Sequence, residues 1–311
     1  MIRFFKNSFI FAIPFILIIS FTLVVDPYEN FGYFNIISVD LKRKISYNIN
    51  YALWKVVEFS RNPRPNILLG DSRMNRIKVK EIRKFSGIDY YNFAYGGGTL
   101  QEICNTFWFA ADKINLKKVY IGINFEIYNL SKSYDRVNGA INILENPLLY
   151  LINRDVLNAS FRLVKSKLSG KVKNIETPRM SKDEFWKYQI NIAAKRNYAN
   201  YVYPQKLYYE LRKIADYCRK NEIELSFIIL PTHVTLQEKI EAYGLAKSYQ
   251  KFLSDLRDLN TVYDFNYPNQ LTNDRNNFSD PFHAKETAIS HIVRQIWGGE
   301  KGIGRLYKIQ G

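Results

Sequence analysis

The sequence predicts a three-layer α/β/α sandwich with a parallel sheet, carried behind an N-terminal transmembrane helix. Three observations point there. Short, continuous apolar runs alternate with segments of helical periodicity. Several of those runs stop at small or polar residues, as strands do when they end at a functional edge. A charge-free stretch, residues 9–25, precedes them all.

The elements follow in chain order. Arg3 and Lys6 stand before residues 9–25, a run near the lower length limit for a helical bilayer crossing. Pro14 lies inside it, which a membrane helix tolerates. Positive residues ahead of the run place the N-terminus in the cytoplasm and the rest of the chain outside. The run passes straight into Val25-Asp26-Pro27-Tyr28, with no Ala-x-Ala cleavage pattern. The expectation is therefore an uncleaved, single-pass anchor over residues 1–26 in the cell membrane, rather than a cleaved signal peptide. Residues 27–64 read as a juxtamembrane helical segment, with a helix over 45–59 that Asn62-Pro63-Arg64-Pro65 breaks.

The α/β domain is expected over 65–298. Its strands are 67–69, 90–95, 118–125, 224–231 and 262–265. Gly96-Gly97-Gly98 stops the second strand, and Thr99 with Glu102 forms a capping box for a helix reaching about 114. Further helices are expected over 79–85, 207–221, 235–259 and 285–297, the last ended by Gly298. Residues 299–311 read as a flexible tail. Residues 127–203 are rich in Asn, Tyr and Lys, with helical patches and no clear strand. They form an insertion, either a substrate-binding cap over the strand ends or a peripheral helical pair that only packs.

Composition narrows the function classes. The 311 residues are 47% hydrophobic, which excludes a disordered chain, and the net charge is +16. That charge suits an anionic partner. Lys and Arg are scattered, and no nucleic-acid motif accompanies them, so no nucleic acid is expected. Cys104 and Cys218 both fall in helical patterns and read as buried free thiols. Neither a metal-ligand cluster nor a nucleotide fingerprint occurs, so no metal and no cofactor are expected.

The segment that carries chemistry is Asn66-Ile67-Leu68-Leu69-Gly70-Asp71-Ser72. A serine hydroxyl is a weak nucleophile and needs a base within hydrogen-bond reach, itself oriented by a third group. The chain has three histidines. His283 follows Asp280 by three residues, so Asp280 could hold its Nδ1–H and leave Nε2 for the Ser72 proton. His233 follows a strand end without such a carboxylate and reads as a substrate contact or a structural residue. His291, within the last helix, reads as structural. The developing oxyanion needs donors in place. The candidates are the Ser72 N–H, the glycines 96–98 with Gly97 at their centre, and the Asn124 side chain.

This order of blocks, Gly70-Asp71-Ser72, glycine, asparagine, then Asp280-x-x-His283, resembles the SGNH (GDSL) hydrolase superfamily over residues 65–125 and 222–297. The resemblance implies a flavodoxin-like α/β/α fold, with Ser72, His283 and Asp280 catalytic and Gly97 and Asn124 in the oxyanion hole. Two positions depart from the family pattern: Gly122-Ile123-Asn124-Phe125 lacks the aspartate of the usual Gly-x-Asn-Asp block, and Arg73 follows the serine. Together with the anchor, the chain resembles the branch of alginate O-acetylation and teichoic acid D-alanylation proteins. That implies ping-pong acyl transfer onto an anionic or neutral surface polysaccharide, beside a membrane-bound O-acyltransferase partner. The alternatives are an esterase or lipase with the same triad, and a non-catalytic polysaccharide assembly protein.

Overall fold

A computed structural model describes residues 1–171 and 180–309, apart from the side chains of residues 2, 3, 5 and 6. The chain divides into two compact units. One comprises Met1–Asn62 with Arg136–Thr177, the other Pro63–Asp135 with Pro178–Gly311.

The second unit is a mixed α/β structure around a six-stranded sheet. In chain order its strands are β1 (Asn66–Leu69), β2 (Tyr91–Asn92), β3 (Lys118–Gly122), β4 (Glu224–Ile229), β5 (Thr261–Asp264), the hairpin β6 (Phe278–Asp280) and β7 (His283–Ala284), and β8 (Arg305–Tyr307). The sheet order is β2-β1-β3-β4-β5-β8. Every neighbouring pair is parallel except β5 and β8. Helices cover both faces, so the central strands are buried on both sides, which is why they read as unbroken apolar runs. One face packs Leu68, Tyr120 and Ile228 against Ile82, Ile289 and Ile292. The expected α/β class with a mostly parallel sheet is what the chain adopts.

The differences have local causes. The helix expected over 235–259 is two helices, Val234–Ala242 and Ala246–Leu259. Gly244 between them takes φ +69°, a conformation that ends a helix although the apolar spacing continues. The strand expected over 90–95 is regular only at Tyr91–Asn92, although the Phe93 and Tyr95 N–H groups still donate to the Leu68 and Gly70 carbonyls. The tail expected to be loose supplies β8, which covers the β5 edge. There Arg257 lies 3.6 Å over the Tyr307 ring, and Arg305 lies 3.6 Å over Tyr267. Residues 310 and 311 lie outside the described residues. The segment 127–203 divides: its helices Arg136–Glu145, Pro147–Ile152 and Arg154–Ser169 belong to the first unit, while Lys182–Tyr188 and the turns through Tyr198 belong to the second.

The first unit is helical. The helix Ile2–Val25 contains 19 residues, Asn7–Val25, long and apolar enough by length and composition to cross a membrane. It ends at Asp26, which takes φ 40° and is fully buried. The Asp26 carboxylate accepts the N–H groups of Asn30, Phe31 and Gly32 at 2.8–2.9 Å and the Tyr150 hydroxyl at 2.7 Å. These bonds replace the water that a buried charge would otherwise lose. The helix expected over 45–59 is likewise two, Val39–Ile49 and Tyr51–Arg61. They meet at Asn50, whose side chain accepts from the Leu53 N–H.

Candidate active site

Ser72 is presented by a turn that the sequence builds tightly. β1 ends at Leu69, and Gly70 takes φ +152°. A Cβ there would meet Met74 Cβ at 2.7 Å and the Gly122 carbonyl at 2.9 Å, so only glycine fits. Asp71 Oδ1 accepts the Arg73 N–H at 2.9 Å, and the Asp71 carbonyl accepts from the Asn75 N–H. Asn92, on β2, donates to the carbonyls of Met74 and Ile77, which fixes the turn to the neighbouring strand. Ser72 is left half-buried at the strand end.

His283 reaches it from the other end of the chain. Asp280 and His283 face each other across the β6–β7 hairpin. His283 Nδ1 lies 2.9 Å from each Asp280 carboxylate oxygen, and His283 Nε2 lies 2.7 Å from Ser72 Oγ. A carboxylate can only accept, so the proton sits on Nδ1 and Nε2 accepts from the serine hydroxyl. Asp280 also accepts the Phe282 N–H at 3.0 Å, which fixes its orientation.

These groups border a small pocket of about 180 Å³ that is also lined by Gly97, Gly98, Lys132, Tyr134, Gln189 and Asn197. The glycine turn lies against the serine turn, because the Tyr95 N–H donates to the Gly70 carbonyl. A Cβ on Gly98 would stand 3.1 Å from the Gly70 carbonyl and 3.3 Å from Asp71 Cα, so glycine permits this approach. The Gly98 N–H donates to the Tyr95 carbonyl. Among the described residues none accepts from the Ser72 N–H. Asn124 is placed differently from the oxyanion expectation. It is buried, does not line the pocket, and donates its amide to the Leu230 carbonyl at 2.7 Å.

Beneath Ser72 lies an ion cluster that the sequence analysis did not find. Arg73 donates to Asp71 at 2.6–3.2 Å and to Glu126 Oε2 at 2.8 Å, and the Tyr198 hydroxyl donates to Glu126 Oε1 at 2.7 Å. Asp71, Arg73 and Glu126 are all buried. Burial alone would raise the pKa of both acids, but the Arg73 charge and hydrogen bonds outweigh it and hold both below their ordinary values. Asp71 and Arg73 are two residues apart, but Glu126 joins them only through the fold. The one available signal was the presence of charged residues where neighbouring positions are apolar. Lys132, beside this cluster, has its pKa lowered by burial against the pull of Glu126, with Arg73 adding to the drop. Among the described residues no group of His, Cys, Asp and Glu could hold a metal ion. Cys104 and Cys218 are buried free thiols.

No family model matches this chain. No curated protein matches it either. Among the solved structures that do match is a Streptococcus pneumonia protein provisionally named a platelet activating factor, at 12% identity and a TM-score of 0.39, covering 84% of this chain and 98% of that one. A likeness at that level carries no argument about activity.

Proposed function

We propose that this protein is a membrane-anchored, extracytoplasmic serine O-acyltransferase, passing acetyl groups to a cell-surface polysaccharide beside a membrane-bound O-acyltransferase. The observation that carries the chemistry is the continuous chain from Ser72 Oγ through His283 to Asp280, at 2.7 and 2.9 Å. His283 Nε2 takes the serine proton as Oγ attacks the acyl carbonyl. The oxyanion forms against the Ser72 N–H and the Gly97 turn, where each donor is worth about 3–4 kcal/mol. The tetrahedral intermediate collapses, the donor's leaving group takes the proton from His283, and the acyl group stays on Ser72. A sugar hydroxyl then gives its proton to His283 and attacks the acyl-serine, and Ser72 is released with its proton restored. Asp280 holds the imidazole in register throughout.

The anchor supports transfer: it would keep the serine near an acyl donor emerging from a membrane partner, with its active site on the outer side. Water in place of the sugar would make the same site an esterase. The test uses the full-length protein in nanodiscs with p-nitrophenyl acetate and anionic or neutral oligosaccharides. Acetylated sugar with wild type, and none with Ser72→Ala, is the expected result. Free acetate with no acetylated sugar assigns hydrolysis instead. Sugar acetylation that persists unchanged in Ser72→Ala overturns the catalytic role of the serine.

A further inference from the structure

The apolar helix gives up its last turn to the folded unit, so the part left for lipid is shorter than the bilayer core, and the first unit carries the surface that makes up the difference. Asn7–Val25 contains 19 residues, about 28 Å of helix. Its last turn does not face lipid: Thr22 and Val25 are buried, and Val25 packs with Ile37, Ile45 and Leu163, with Phe21 against the same cluster. The part free to meet lipid, residues 7–20, is roughly 21 Å long. The hydrocarbon core of a bilayer is about 30 Å thick. Arg3 and Lys6 limit any extension in the other direction.

Apolar side chains stand exposed where the helix enters the folded unit. Phe161 is 62% exposed although its ring lies 4.9 Å from that of Phe21, which places it level with the last turns of the apolar helix. Leu168, seven residues on and so on the same side of the helix Arg154–Ser169, is 83% exposed. Tyr33, Phe34 and Ile36 are exposed on the loop that leaves the apolar helix. Lys167 donates to the Ile36 carbonyl, so loop and helix end form one edge. Exposed Arg162 and Lys165 lie beside Phe161 and Leu168, where long basic side chains can reach lipid phosphates while their stems stay apolar. A water-facing surface gains nothing from five large apolar side chains at one edge.

We propose that this edge is immersed in the outer leaflet, so that the helical unit forms a membrane-embedded collar whose partner is the lipid bilayer. The proposal rests on the reading of Ile2–Val25 as an anchor. The bilayer hydrocarbon then meets Phe161, Leu168 and the 33–36 loop as well as the apolar helix. A shorter exposed helix is thereby matched to the membrane without thinning it.

The test is nitroxide accessibility in the full-length protein, reconstituted in liposomes of phosphatidylcholine and phosphatidylglycerol. Single labels are placed by Phe11→Cys, Phe161→Cys, Leu168→Cys and Lys220→Cys, with Cys104 and Cys218 replaced by alanine. Oxygen partitions into lipid and a nickel chelate stays in water. The expected result is that the labels at 161 and 168 follow that at 11, with oxygen access exceeding nickel access, while 220 shows the reverse. Lipid-like access at 11 with water-like access at both 161 and 168 overturns the collar and leaves the anchor standing. Water-like access at 11 overturns the anchor reading and the collar with it.

Discussion

Two histidines are tied to the β6–β7 turn, His283 as part of it and His233 by a bond to it, and only one has the partners of a base. His283 has a carboxylate behind it and a hydroxyl in front, at 2.9 and 2.7 Å. His233 follows β4, and its N–H donates to the Pro281 carbonyl, inside the turn that carries His283. Its Nδ1 accepts the Thr235 N–H at 3.2 Å as the cap of Val234–Ala242. Its ring meets the edges or faces of Trp186 at 5.0 Å and Phe278 at 5.6 Å. A nitrogen used to accept a backbone N–H cannot also carry a proton for a carboxylate. Burial, with the Arg275 charge adding, lowers the pKa of His233. Nearness to that turn is thus shared; hydrogen-bond partners separate a base from a cap.

The largest expected effects fall on the three groups in line. Ser72→Ala or His283→Ala should lower kcat for acyl-ester turnover by about a million-fold, and Asp280→Asn by about ten-thousand-fold, with circular dichroism unchanged. A loss under tenfold for either of the first two would break the contrast with His233. Next is the ion cluster. Arg73→Met leaves Asp71 and Glu126 buried without their cation and should cost about 3–5 kcal/mol in denaturant unfolding. Asn124→Ala separates two roles. With its amide on the Leu230 carbonyl, the variant should lose about 1–3 kcal/mol of stability and less than tenfold in kcat. A donor to the oxyanion would instead cost about a hundred- to thousand-fold in kcat.

The smallest effect is at His233. His233→Gln should leave kcat within about threefold, since the ring touches none of the groups in line. The pH dependence of stability is the sharper measurement. The folded pKa lies below the ordinary 6.5, so between those values the unfolded chain binds more protons. Stability should therefore fall as pH drops from about 6.5 toward the lowered value, and His233→Gln should remove that slope.

How much of this was legible follows from the range of the interactions. Gly-Asp-Ser at the end of an apolar run and Asp-x-x-His before a helix are local patterns, and both sit where a strand end or tight hairpin must place them. The capping box at Thr99 and Glu102 is local too, and forms. The pairing of Arg73 with Glu126 spans 53 positions and depends on how β1 and β3 align, so no window of sequence contains it. The aim of the Asn124 amide was equally out of reach: its partner Leu230 is 106 residues away. The break at Gly244 was missed because apolar spacing continues across it. The helices of 136–169 pack on the N-terminal helices, a choice of partner that periodicity does not encode.

The most direct test is covalent. The full-length protein in nanodiscs is treated with a fluorophosphonate, digested and sequenced by mass spectrometry. The account predicts one phosphonyl adduct, on Ser72 within the tryptic peptide from Asn62 to Arg73, and its loss in His283→Ala but not in His233→Gln. An unmodified Ser72, or an adduct that forms equally fast without His283, would contradict it.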